Sequence, residues 1–252
     1  LAALWSLASL ETDGAAIPSP GIYVPNDLDK TMKNYGDFMV ETLKQAKIRG
    51  YNNIKYLFMF TEPHNTHLNK TTWQPDNPRS FALYSKAVRA LDKALRDAGI
   101  RQQYKLVGPN DNVADPYSYF LDHAVKDLND CIDIYANHAS YAKADDLFLD
   151  SYHAQMMERY PSRLELIKDT GKPFWIDEIN VSVYRATVAG QIASNPWSAT
   201  QLAAIYTASM NLGIQNLFIW TVCDQLWPDN VTTNSDGFTN GLQKPGVLPC
   251  LF

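Results

Sequence analysis

The chain has 252 residues, of which 46% are hydrophobic, 19% charged and 12% aromatic. That balance excludes a disordered tail, a collagen-like repeat and a coiled coil, and the length suits one α/β barrel or two small domains. The net charge is −5, from 22 Lys and Arg against 27 Asp and Glu, and no basic block exists for a phosphate backbone to grip, so nucleic acid is not an expected partner.

Cys131, Cys223 and Cys250 are too few and too odd in number for a disulfide scaffold, and they form no CxxC or Cys/His cluster for a structural zinc. No apolar run reaches the roughly 20 residues that a membrane helix needs, so no membrane span is expected. The chain starts at Leu1 in an apolar stretch, with no initiator Met and no recognisable signal peptide, which suggests that an upstream part is absent.

In chain order, the opening residues 2–7 are expected to form a strand that carries Trp5. Met32, Tyr35, Met39, Leu43 and Ala46 then recur at helical spacing and end at Gly50. An apolar run over 54–61 predicts the next strand. Asp76 and Asn77 before Pro78 start a second helix, whose face is Phe81, Tyr84, Val88, Leu91 and Leu95 and whose stop is Gly99. Strands are predicted at 104–108 and 132–137, then at 173–178 after Gly171. Asn195 before Pro196 begins another helix, and Gly213 precedes a strand at 216–222. Each glycine stands where a helix C′ residue in the left-handed conformation belongs.

Strand, long polar loop, helix, glycine, strand is the rhythm of βαβ units around a parallel sheet. No Gly-rich phosphate turn follows any strand, which disfavours a nucleotide fold. The long loops all follow strand C-termini, as in a (β/α)8 TIM barrel, whose active site is built there. Six strands are counted, not eight, and no linker or second domain is visible, so the expectation is a single barrel domain over 1–252.

Two strand ends carry carboxylates. Phe60 is followed by Thr61-Glu62-Pro63-His64, and Pro63 favours a fixed turn that orients Glu62. The run Lys172-Pro173-Phe174-Trp175-Ile176 is followed by Asp177-Glu178, of which alternation lets only one face a barrel axis. A loop salt bridge would be the plain account of one such residue; two strand-end glutamates make a stronger signal. Paired carboxylates serve glycoside hydrolysis, where one delivers a proton and the other attacks the anomeric carbon or activates water.

The segments Phe60-Thr61-Glu62-Pro63 and Lys172 to Glu178 resemble the clan A retaining glycoside hydrolases. The resemblance implies Glu62 as acid/base at the end of strand four and Glu178 as nucleophile at the end of strand seven. It also implies that Trp220, at the end of strand eight, forms the floor of the sugar site. His138 matches a His-x-Tyr position, with Tyr141 one residue late. Asn110 and Asp111 after strand five could bond sugar hydroxyls, and Trp5 lies in a segment that resembles strand three. Thr61 stands where most members carry the Asn that bonds the sugar 2-hydroxyl, so the substrate differs there or the activity is weaker. With the opening stretch as strand three, strands one and two have no sequence to occupy, and an incomplete barrel of strands three to eight is expected.

His64 and His67 form an H-x-x-H without the helical frame of a zinc site, so no metal and no cofactor are expected, and His64 is assigned to a sugar or to Glu62. Trp73, Trp197 and Trp227 lie in loops after strands, where they could stack on sugar rings or pack the loops. The expected function is a retaining glycosidase acting on a β-linked saccharide. The alternatives are a barrel that binds glycans without catalysis, and a metal-dependent hydrolase. Sequons at Asn69, Asn180 and Asn230 permit glycosylation in a secretory setting, and a secreted or extracellular location is expected.

Overall fold

The structure, a computed structural model, describes residues 27–60, 62–63, 78–112, 117–138, 149–179 and 196–219. The expected opening strand and Trp5 lie outside them. The elements alternate as the glycines imply: α1 (Leu28–Ile48), β1 (Tyr56–Phe58), α2 (Pro78–Asp97), β2 (Lys105–Asn112), α3 (Tyr119–Asp127), β3 (Ile134–His138), α4 (Leu149–Ile167), β4 (Phe174–Ile179), α5 (Pro196–Asn211) and β5 (Asn216–Ile219). The five strands form one sheet in chain order, and β1–β2 and β2–β3 pair in parallel. Parallel strands in sequential order, each reached through a helix, are the pattern of a (β/α) barrel.

Helix starts and stops follow local chemistry. The Asp27 carboxylate accepts from the Lys30 N–H at 3.0 Å and caps α1, and Pro78 occupies the first position of α2. Gly99 ends α2 at φ 68° and Gly213 follows α5 at φ 73°, where a Cβ would be strained. Ile100 N–H then donates to Leu95 O at 3.0 Å, and Ile214 N–H to Ser209 O at 2.9 Å, closing each helix.

By internal packing the chain divides into two compact units, one of Leu1–His138 with Arg163–Trp175, the other of Ala139–Ser162 with Ile176–Phe252. In the first, Met32, Tyr35, Met39 and Leu43 of α1 and Phe81, Tyr84, Val88, Leu91 and Leu95 of α2 are all buried. Full burial of a side chain of this size contributes about 1.5–3 kcal/mol. Aromatic rings connect the layers, Tyr35 stacking on Phe60 at 5.6 Å and Tyr84 lying between Phe60 and Phe120. On the sheet, Phe58 is in register with Val107, and Val107 with Ile134; these three gather with Ala136 and Trp175 into one cluster.

Arg101 ties the C-terminal part of α2 to the N-terminal ends of β2 and β3. Its guanidinium donates to Asp92 on α2 at 2.5 Å, to Asp133 before β3 at 2.8 Å, and to the carbonyls of Tyr104 and Cys131. Asp133 in turn accepts from the Leu106 N–H of β2 at 2.9 Å.

In the second unit, α4 buries Met156 and Tyr160, and α5 buries Leu202, Ile205 and Ala208 at helical spacing. α4 continues through Pro161, which lacks the N–H for a helical bond, and the unit boundary falls just after it. Among the described residues no helix is long and apolar enough to cross a membrane.

Candidate active site

β2 runs further than the 104–108 that its hydropathy predicts, continuing past Pro109 to Asn112. The register with β3 explains how. Pro109 stands opposite Ala136, but Asp111 stands opposite Asn137 and Asn112 opposite His138, so the pairing slips by one residue at Asn110. Asn110 takes up that extra residue with φ 62°, a conformation that Asn tolerates better than most side chains. A slip of one residue exchanges the faces of everything that follows.

The exchange separates two neighbouring polar side chains. Asp111 is fully buried; it accepts from the Ser118 hydroxyl at 2.6 Å and from the Asn137 amide. Ser118 also caps α3 by accepting from the Leu121 N–H at 3.0 Å, so Asp111 fastens that helix to the strand end. Asn112 donates its amide to Glu62 Oε1 at 2.9 Å. His138, at the end of β3, places Nδ1 3.3 Å from the same oxygen. The backbone of Glu62 has φ 48°, and its N–H donates to Asn110 O at 3.0 Å. A non-glycine residue held in this region marks a position that its surroundings over-determine.

Glu62, Asn112, Asn110 and His138 thus meet at the C-terminal ends of β1, β2 and β3, the Glu62 side chain 17% and the His138 side chain 5% exposed. A carboxyl that is anchored yet accessible can give and take a proton at a fixed point. Asn110 itself is 2% exposed, and its contribution to this cluster is a backbone carbonyl.

Glu178 is half-buried near the end of β4, beside half-buried Asp177. Regular alternation groups Asp177 with Trp175 and Ile179, and Glu178 with Phe174 and Ile176. Thr61, His64, Tyr141, Trp220, Trp227 and Trp5 lie outside the described residues. Sequence reasoning missed Asn112, since a one-residue slip leaves no mark in hydropathy; the cue was the Gly108-Pro109-Asn110 break inside an apolar run. Among the described residues no group of three or more His, Cys, Asp or Glu is arranged to hold a metal ion.

Several solved glycoside hydrolases are similar to this chain in fold. A GH5-4 broad specificity endoglucanase from an uncultured bacterium matches with a TM-score of 0.55 at 14% identity, over 78% of this chain and 57% of that one. The fold is of the TIM-barrel type. A fungal β-1,4-galactanase matches with a TM-score of 0.52 at 11% identity, over 84% of this chain and 64% of its own. A xyloglucan-specific endo-β-1,4-glucanase from a metagenomic library gives 0.52 at 14%, over 85% and 60%. The chain therefore spans about three-fifths of the length of these structures. At such identities the likeness is one of fold. Neither a family model nor a curated protein matches the chain.

Proposed function

We propose that the chain is the catalytic part of a retaining glycosidase that hydrolyses a β-linked saccharide. The observation that carries this reading is Glu62, held at a strand end by Asn112 and His138 on the two following strands. The barrel fold shared with endoglucanases and a galactanase supports it, and makes β-glucans and galactans the first substrates to assay.

In this reading Glu178 attacks the anomeric carbon as the glycosidic C–O bond breaks, and the Glu62 proton passes to the departing oxygen. Ionised Glu62 then takes a proton from water, whose oxygen displaces Glu178 and frees the sugar. Retention requires the two carboxyls to stand roughly 5–5.5 Å apart. Thr61, His64, His138, Tyr141, Trp5, Trp220 and Trp227 are assigned to sugar contacts, while buried Asn110 holds Glu62 through its backbone, with no cofactor and a secreted location.

Glu178→Gln is expected to lower kcat/KM on aryl β-glycosides by about 10³-fold or more, and Glu62→Gln to do so on those with poor leaving groups, while sugar binding persists. Asp177→Asn belongs beside them, because alternation gives it the face of Trp175, and is expected to stay within about tenfold of the parent. Unchanged turnover in Glu178→Gln with loss in Asp177→Asn moves the nucleophile to Asp177. Binding without turnover in the parent protein, with Thr61 in place of the expected Asn, marks the glycan-binding barrel instead.

A further inference from the structure

We infer that Asn112 is a positioning residue for proton transfer, fixing which oxygen of Glu62 carries the proton; this rests on Glu62 being the acid/base. The Asn112 amide at 2.9 Å and His138 Nδ1 at 3.3 Å both converge on Oε1. An amide N–H has only a proton to offer, so Oε1 is the acceptor oxygen, and the proton given to the leaving group resides on Oε2. Asn112 reaches Oε1 because the slip at Asn110 turns it to the face of His138. Asn110 secures the other end of the residue, its carbonyl accepting from the Glu62 N–H at 3.0 Å. One bulge therefore holds both the backbone and the side chain of Glu62, at two residues with positive φ.

The donor also bears on ionisation. A hydrogen bond donated to the charged form of a carboxyl favours that form. Removing it raises the Glu62 pKa and releases the rotation that presents Oε2. Two titratable side chains stand at the C-terminal ends of the adjoining strands. His138 faces the same oxygen, and Asp111 is turned to Ser118 and Asn137. The signal followed must therefore be that of Glu62 alone.

The test is Asn112→Leu, which keeps the volume and removes the donor, made in the full chain. The carboxyl of Glu62 is followed by carbon-13 NMR, its signal assigned by its loss in Glu62→Gln. It is expected to titrate about one unit higher than in the parent. In kinetics, kcat falls by about 10–100-fold with KM changed by less than about threefold, and the basic limb of the kcat/KM profile moves upward. Aryl glycosides with poor leaving groups suffer most, since those with good leaving groups need little proton donation. A purely structural loss would lower all substrates alike. If Asn112→Leu does not fold by near-ultraviolet circular dichroism, Asn112→Ser is read on the same axes. An unmoved Glu62 titration and an unchanged leaving-group dependence overturn the inference, while full turnover of poor-leaving-group glycosides in Glu62→Gln overturns the acid/base reading and leaves the titration to decide the Asn112 contact.

Discussion

Asn110 shows how much a single backbone conformation decides. Without the extra residue it accommodates, Asp111 would share the face of Val107 and Asn112 would turn toward α3. With it, a carboxylate is sent to cap-and-clamp work beneath the strand end, and a neutral amide is sent to Glu62. Asp122, one turn into α3, illustrates a different balance. Burial opposes ionisation of its carboxyl, but the Lys126 ammonium at 2.7 Å and the Tyr117 hydroxyl at 3.1 Å outweigh it, so the pKa lies below the usual carboxylate range. A pKa lowered by folding contributes stability that is complete above the unfolded value of about 4 and is lost as pH falls through the folded value. Lys126 is exposed, so the contribution is about 0.5–1 kcal/mol. Urea midpoints at pH 7 and pH 3 should show Asp122→Asn losing less than the parent on acidification; equal losses would remove the assigned role.

At the scale of elements, the closeness of α1 to α2 depends on a glycine. A Cβ at Gly36 would stand 2.8 Å from Ala94 Cβ and 2.9 Å from the Ala90 carbonyl oxygen, and neither of those atoms can swing aside. Gly36→Ala raises intrinsic helix propensity, which on an open helix would stabilise by nearly 1 kcal/mol. Here overpacking wins, and a net destabilisation of about 1–2 kcal/mol is expected in denaturant titrations; a stabilised variant would mean that the helices do not meet at this point. The elements themselves were largely legible, because helical spacing and glycine stops are local signals. Met32, Tyr35, Met39 and Leu43 face the core as their spacing implies, and Gly99 and Gly213 adopt the left-handed conformation. The extent of β2 was not legible. Pro109 lacks a ladder donor and reads as a strand end, yet the irregular pairing at the slip accommodates it and the strand continues for three more residues.

Over the whole molecule, the alternation of strands and helices specified a parallel barrel-type sheet, and the five-stranded order in chain sequence is that sheet. The candidate site was legible in part. Glu62 announced itself by following eight mostly apolar residues, and His138 by ending β3; they meet across the span of sequence between them because both strands end on one side. Asn112 was hidden, since its role arises from pairing between strands rather than from any local pattern. Tyr56 and Phe58 of β1 make ring contacts with Trp175 of β4 within the first unit, although β2 and β3 lie between those strands in the sheet.

The proposed reaction is covalent: a β-linked sugar is transferred to Glu178 before water releases it. A 2-deoxy-2-fluoro β-glycoside with an activated leaving group slows release more than attack, since fluorine disfavours the cationic transition state of both steps while the leaving group speeds the first. Incubating the protein with gluco-, galacto-, manno- and xylo-configured versions and weighing it intact, then by peptide, reads the outcome directly. The expected result is the added mass of one fluorosugar on the peptide holding Glu178, absent in Glu178→Gln. No added mass with any of the four in a protein that turns over aryl glycosides, or an adduct on another residue, would contradict it.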